Sequence, residues 1–174
     1  LDLSKIDAGR MELEPMDFDL SALIREVMAL FQHPCEEKQL GFRLEGTSCD
    51  RPCEVHGDEG KLRQLLINLV GNAVKFTDRG RITLHVVAQP ESRWRFEVED
   101  TGIGIAPEVQ VQIFDPFQQG PGARKHGGAG LGLALAHRHA ALMGGELTFR
   151  SELGKGSGFT FTLPLPSSKR PGLT

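Results

Sequence analysis

The sequence has no apolar run near the roughly 20 residues that a membrane-crossing helix needs, so no segment of it reads as a span. It has little charge of either sign in excess. The formal net charge is −3 at pH 7, which points to neither a nucleic-acid partner nor an acidic membrane surface, and no direct membrane insertion of the domain is expected. No basic-then-apolar leader pattern opens the chain, and there is no internal repeat and no low-complexity tract. These absences describe the 174 residues alone, because a longer parent can still carry an anchor. Cysteine is scarce, with Cys35, Cys49 and Cys53 only. An odd number in a chain this long fits a reducing compartment better than a disulfide framework. Cys49 and Cys53 lack a second Cys/His pair at zinc-site spacing.

What is present is enough chain for one domain with a real core. Residues 1–9 read as the end of a helix stopped by Gly9, so the chain is expected to begin inside an element. Residues 11–18 suit an edge strand. Residues 19–39 suit a helix capped by Asp19 or Ser21, with Leu23, Val27, Leu30 and Phe31 on one face. Short strands are expected around Phe42 and Leu44 and around Cys53 and Val55. A long helix follows over 58–76. The alternating stretches 81–89 and 93–100 form a hairpin. Glycine-rich sequence fills 101–132 around a short apolar piece at 109–117. A third helix spans 131–143, and strands at 146–151 and 158–165 close the domain. Strands and helices do not alternate regularly. The pattern therefore predicts an α+β fold: a two-layer sandwich with a mixed, mostly antiparallel sheet and three main helices on one face.

The 58–76 helix carries an unusual stripe. Leu62, Leu65, Leu66, Leu69, Val70, Ala73 and Val74 fill a broad apolar arc, and Lys61, Gln64, Asn68, Asn72 and Lys75 fill the narrow opposite arc. Asparagine is a mediocre helix former, so two on one stripe ask for a reason. An amide oxygen suits magnesium, and a lysine suits phosphate. A solvated face with incidental asparagines would look the same.

Two glycine-rich segments add to this. Asp100-Thr-Gly-Ile-Gly104 follows a strand, where an acceptor-only carboxylate can take hydrogen bonds from an exocyclic amine such as adenine's. Gly102 and Gly104 let backbone approach a ligand closely. Gly127-Gly-Ala-Gly-Leu-Gly-Leu133 runs straight into a helix, a setting that favours an anion. It lies late in the chain, lacks a strand–helix–strand unit and lacks the Gly-Lys-Ser/Thr ending, so neither a dinucleotide fold nor a P-loop is expected. Residues 118–126, with Arg124 and Lys125, read as a lid over a phosphate site or as a plain loop.

Taken in order, these segments resemble the catalytic domain of histidine kinases, within the GHKL (Bergerat-fold) ATPases that also include DNA gyrase, the MutL proteins and the large heat-shock chaperones. Residues 57–77 resemble the family's N box, Asp100 to Gly104 its G1 box, Phe114-Asp-Pro-Phe117 its F box and Gly128 to Gly132 its G2 box. Leu1 to about Arg10 resemble the tail of a second dimerisation helix. Residues 11–166 would then be the ATP-binding domain and 167–174 a flexible tail. The resemblance implies ATP and Mg2+ as ligands. It implies Asn72 as magnesium ligand with Asn68 in support, and Lys75 at phosphate. Asp100 would read the adenine amine, with Gly102, Ile103 and Gly104 around the base. Gly128, Gly130, Leu131 and Gly132 would hold the phosphates. Phe114 and Phe117 would anchor a lid carrying Arg124 and Lys125.

The implied reaction is transfer of the ATP γ-phosphoryl group to a histidine on a separate dimerisation domain, then signalling to a response regulator or receiver domain. The implied setting is the cytoplasmic side of a bacterial inner-membrane sensor. Asn68 stands where hydrolysing relatives place a carboxylate, which favours kinase over ATPase. None of His33, His56, His85, His126, His137 and His139 carries the acceptor pattern. Three departures stand out: a short lid with Gly120-Pro-Gly-Ala123, Ala129 for a frequent threonine, and Gly158 where a threonine often joins the adenine network. A hydrolysing GHKL ATPase and a degenerate regulatory module are the alternatives.

Overall fold

A computed structural model describes residues 12–46, 51–115 and 132–168. Its elements in chain order are β1 (Met16–Asp19), α1 (Leu20–Glu37), β2 (Gly41–Gly46), β3 (Glu54–Gly57) and α2 (Glu59–Phe76). Then come β4 (Arg81–Gln89), β5 (Arg93–Asp100), the short α3 (Pro107–Gln110), α4 (Gly132–Leu142), β6 (Glu146–Glu152) and β7 (Gly156–Pro164). The five-stranded sheet runs β2-β4-β5-β7-β6. Only β2 and β4 pair in parallel; the other three pairings are antiparallel. This is the expected α+β sandwich.

Two details differ from the sequence reading. β1 and β3 form their own antiparallel ribbon rather than joining the main sheet. The glycine-rich stretch also contains the one-turn helix α3, which Pro107 can open because its missing N–H is not needed at that position.

The core follows from alternation. Ile82, Leu84 and Val86 of β4, Phe96 and Val98 of β5, and Phe159, Phe161 and Leu163 of β7 point to one side. Phe96 and Phe161 stack with centroids 4.8 Å apart. Against them packs the apolar arc of α2, whose Leu62, Leu65, Leu66, Leu69 and Val70 are at most 1% exposed. Each such side chain contributes roughly 1.5–3 kcal/mol on burial, so α2 is fixed in rotation and its polar stripe can only face away from the sheet. Cys35 also lies in this core, where burial pushes its thiol pKa up despite nearby Lys38.

Both long helices start on aspartate caps. Asp19 accepts from Ser21 N at 3.0 Å. Asp58 accepts from Lys61 N at 2.9 Å and from Glu14 N at 2.8 Å. Burial pushes the Asp58 pKa up, but these two N–H groups and the Lys61 ammonium outweigh it and hold the carboxyl below its usual range. Lys61 Nζ also reaches Glu12 O at 2.6 Å. Lys61 is thereby spent on the cap and does not share in the stripe's chemistry.

Candidate nucleotide site at the end of the sheet

Asp100 is the last residue of β5 and shares the core-facing side with Phe96 and Val98. It is 8% exposed. Its Oδ1 accepts from Gly102 N at 2.9 Å. Burial pushes its carboxyl above the usual aspartate range, and the charge of Glu99 adds to that. The N–H groups of Gly102 and Ser157 only partly offset the rise. No cation of the described residues pairs with it. A buried carboxylate that backbone N–H groups only partly offset is costly, and a further donor would stabilise it.

The turn after Asp100 is locked to its surroundings. Ile103 N donates to Phe76 O at 3.2 Å, tying the turn to the end of α2. A Cβ at Gly102 would sit 2.4 Å from Phe76 O, 2.7 Å from Thr77 Oγ1 and 3.0 Å from Asp100 Oδ1. Only glycine fits. Thr77 is fully buried and its hydroxyl has no hydrogen-bond partner among the described residues. Gly104 has φ +71°, and a Cβ there would meet Glu152 O at 2.1 Å. Its role is close packing on the β6–β7 turn, which Gly154 N reinforces by donating to Ile103 O at 2.7 Å.

The α2 stripe leads away from this turn. Lys75 lies with Nζ 5.6 Å from the Phe76 ring centroid and forms no ion pair among the described residues. Asn72 is half-buried, and its side chain has no hydrogen-bond partner there either. Asn68 Oδ1 accepts from Gln64 Nε2 at 3.3 Å, while its own amide nitrogen is buried and unpartnered. A Cβ at Gly132, at the start of α4, would lie 3.9 Å from the Asn68 carboxamide. The stripe thus runs from the Asp100 turn to the start of α4, a span of about 13 Å between Thr77 and Asn68 along the helix axis.

Phe114 does not face this stripe. Its ring stacks on His137 of α4 at 4.6 Å and meets Phe149 edge-on at 5.6 Å. Ile103 is partly exposed beside the turn. Phe117, Arg124, Lys125, Gly128, Gly130 and Leu131 lie outside the described residues, as do Ala129 and the short lid.

One expectation is corrected. Gly158 does not stand beside Asp100. The register pairs Asp100 with Ser157 and Glu99 with Gly158. Gly158 faces the opposite side of the sheet, where a Cβ would touch the Arg150 guanidinium at 3.3 Å. Ser157 stands opposite Asp100 with Ser151 next in the row, and sequence reading missed both. The signal was available: stepping back by two from the inward Phe159 lands on Ser157.

The other face carries a second cluster. The donor atoms of His85, Glu97 and Glu99 lie within 4.8 Å of one another. Arg150 Nη2 is 3.2 Å from Glu97 Oε1 and 3.1 Å from Glu99 Oε2, and Arg95 also pairs with Glu97. The carboxylates are already matched by guanidinium groups, so this is an ion-pair lattice.

Residues 57–167 match the family model described as histidine kinase-, DNA gyrase B- and HSP90-like ATPase. The chain belongs to that family. It is an ATP-binding catalytic domain homologous to those of histidine kinases. It is 39% identical over 171 residues to the signal transduction histidine-protein kinase BarA of Escherichia coli, covering 95% of this chain and 18% of BarA. Among solved structures, full-length ShkA in complex with AMPPNP is 38% identical, with a TM-score of 0.79 over 94% of this chain and 35% of ShkA. The catalytic domain of histidine kinase ThkA is 30% identical, with a TM-score of 0.73 over 87% of this chain and 97% of that domain. ThkA has also been solved in complex with the response regulator protein TrrA, at 28% identity and a TM-score of 0.73 over 97% of this chain and 47% of ThkA. The chain spans about a fifth of the length of the curated relatives it matches. No helix among the described residues is long and apolar enough to cross a membrane.

Proposed function

We propose that this domain supplies the ATP site of a two-component histidine kinase. It would direct the γ-phosphoryl group to a histidine on a separate dimerisation domain. The observation that carries this reading is the buried carboxylate of Asp100, with no cation partner among the described residues, beside a polar stripe in which the Asn68 amide nitrogen is buried and unpartnered. Asp100 accepts from the adenine amine, with Gly102, Ile103 and Gly104 shaping the turn around the base. Lys75 neutralises phosphate charge. The Asn68 amide nitrogen donates to a phosphate oxygen, since its carbonyl is taken by Gln64. That assignment of Asn68 fits an anion better than a metal. Gly128, Gly130, Leu131 and Gly132 hold the phosphates ahead of α4, whose helix dipole favours the anion. Phe114, Phe117, Arg124 and Lys125 form the lid and its anchor. Residues 1–10, 11–166 and 167–174 are the proposed helix tail, ATP-binding domain and flexible tail.

Magnesium fits one residue best. The Asn72 amide oxygen is a neutral hard donor with no competing partner among the described residues. When bound, the ion would neutralise charge on the transferring phosphate. The chain's own part is positioning. A neutral imidazole is already nucleophilic, so the domain has no need of a general base. Asn68 cannot act as one, which argues against water activation and for a protein acceptor. A response regulator or receiver domain downstream, and a cytoplasmic location beneath a sensor, complete the proposal.

Calorimetric titration with ATP and magnesium, alongside Asn72→Ala and Asp100→Ala, tests it. Saturable binding weakened by both changes is expected. A well-folded wild-type chain that does not bind would overturn the reading. Stable radiolabel on the chain alone, incubated with labelled ATP, would overturn the assignment of the acceptor to another domain.

A further inference from the structure

Three side chains lie in one transverse row across the sheet, all facing the nucleotide side: Asp100 on β5, Ser157 on β7 and Ser151 on β6. The register pairs Asp100 with Ser157 and Ser157 with Ser151. Directly opposed side chains of this kind start about 4.5–5.5 Å apart. Ser157 is 8% exposed, so its hydroxyl must be satisfied within the fold or by a ligand.

Ser151 Oγ makes three contacts. Ile105 N donates to it at 2.8 Å, it reaches Gly156 O at 3.0 Å, and it lies 2.8 Å from Ser157 Oγ. A hydroxyl has one proton and two lone pairs. A carbonyl cannot donate, so the Gly156 contact uses the Ser151 proton. The Ile105 N–H takes one lone pair. The remaining contact closes only if Ser157 donates its own proton to Ser151. Ser157 Oγ makes no other hydrogen bond among the described residues, including none to the Asp100 carboxylate. All three contacts are thus met by one proton arrangement.

We infer that Ser151 is a specificity-determining residue for the base: it consumes the Ser157 proton and leaves Ser157 Oγ as an acceptor. The strand row then presents acceptors only, the Asp100 carboxylate and the Ser157 lone pairs. A purine with a 6-amino group offers two N–H donors to such an edge, directly or through one water. A 6-oxo purine sets a carbonyl against the position of the amine and offers only its N1–H as a donor, so at least one buried acceptor loses its partner, the costlier kind of mismatch. Ser151 never touches the base; it acts through Ser157. The same serine also holds the turn after Asp100 through Ile105, so base selectivity and turn placement share one side chain. This inference rests on the adenine reading of Asp100.

The test compares ATP with ITP, in which a 6-oxo group replaces the 6-amino group and N1 carries a proton, by calorimetry in the presence of magnesium. The chains are wild type, Ser151→Ala, Ser157→Ala, the double variant and Asp100→Asn. Ser151→Ala should narrow the ATP-over-ITP affinity ratio by about 3- to 10-fold, because Ser157 is then free to donate. Ser157→Ala should narrow it similarly, and the double variant no further than Ser157→Ala alone. If Ser151→Ala does not fold, Ser151→Cys keeps the volume while weakening the acceptor and should narrow the ratio in the same direction. Equal weakening of both nucleotides with an unchanged ratio would overturn the inference, leaving Ser151 a packing residue. In that case Asp100→Asn separates the two failures. A ratio collapsed by Asp100→Asn leaves the adenine reading standing, and a ratio unmoved by it removes that reading as well.

Discussion

Glu97 and Asp100 are three residues apart on β5, are buried to a similar degree and point to opposite faces of the sheet. Their fates differ. Burial pushes both pKa values up. At Glu97 the Thr160 hydroxyl, Arg95 and Arg150 more than cancel that push and hold the carboxyl below its usual range. At Asp100 there is no cation among the described residues, only backbone N–H groups, and the carboxyl stays above its usual range. The same chemical group is a finished ion-pair element on one face and, on the other, a carboxylate held only by backbone N–H groups among the described residues. Partners, not burial, decide which carboxylate is available to a ligand.

The sharpest way to break the comparison is to neutralise each carboxylate. Asp100→Asn should weaken ATP binding about 100-fold, the scale of a hydrogen bond to a charged group. It should leave the melting temperature at neutral pH unchanged or raised, because the folded state no longer holds a disfavoured charge. Glu97→Ala should do the reverse. It removes the partner of Arg95, leaves Arg150 with Glu99 alone and leaves Thr160 without its acceptor, at about 2 kcal/mol of stability by denaturant unfolding, with ATP affinity nearly intact.

Asn72→Ala probes the stripe. It should remove about tenfold of the affinity gained on adding magnesium and little of the metal-free affinity, read by titrations with and without a chelator. The smallest effect is expected from pH. Asp100 has a raised pKa, so its charge is lost first as pH falls, and ATP affinity should fall with it by at most about tenfold per unit. Glu97 has a depressed pKa, so the stability it contributes is present above its unfolded value of 4.5 and is lost only as pH drops through its lower folded value. Binding should therefore weaken before the fold does. Asp100→Asn should flatten the binding profile, and its failure to do so would assign the pH dependence to the nucleotide.

Much of this was legible in the sequence. The 3.6-residue pattern from Leu62 to Val74 specifies α2 and, by burying one arc, specifies that Asn68, Asn72 and Lys75 share the other. The alternation in 81–100 specifies the hairpin and the side on which Asp100 points. Periodicity survives in sequence because it is local. Lys61 shows the limit: by spacing it belongs to the stripe, yet it is bound to Glu12 and Asp58. A partner 49 residues away leaves no trace in a helical wheel.

The sequence by itself determined the elements, the polar stripe, the acceptor at the strand end and the order of glycine-rich segments, all products of short-range pattern. The tertiary structure alone decided that Ser157 and not Gly158 faces Asp100, that Thr77 and Gly102 meet beneath it, and that Ser151 polarises the row. Strand register and proton accounting set those contacts. Register depends on which strands become neighbours, and a shift of one residue turns every side chain to the other face.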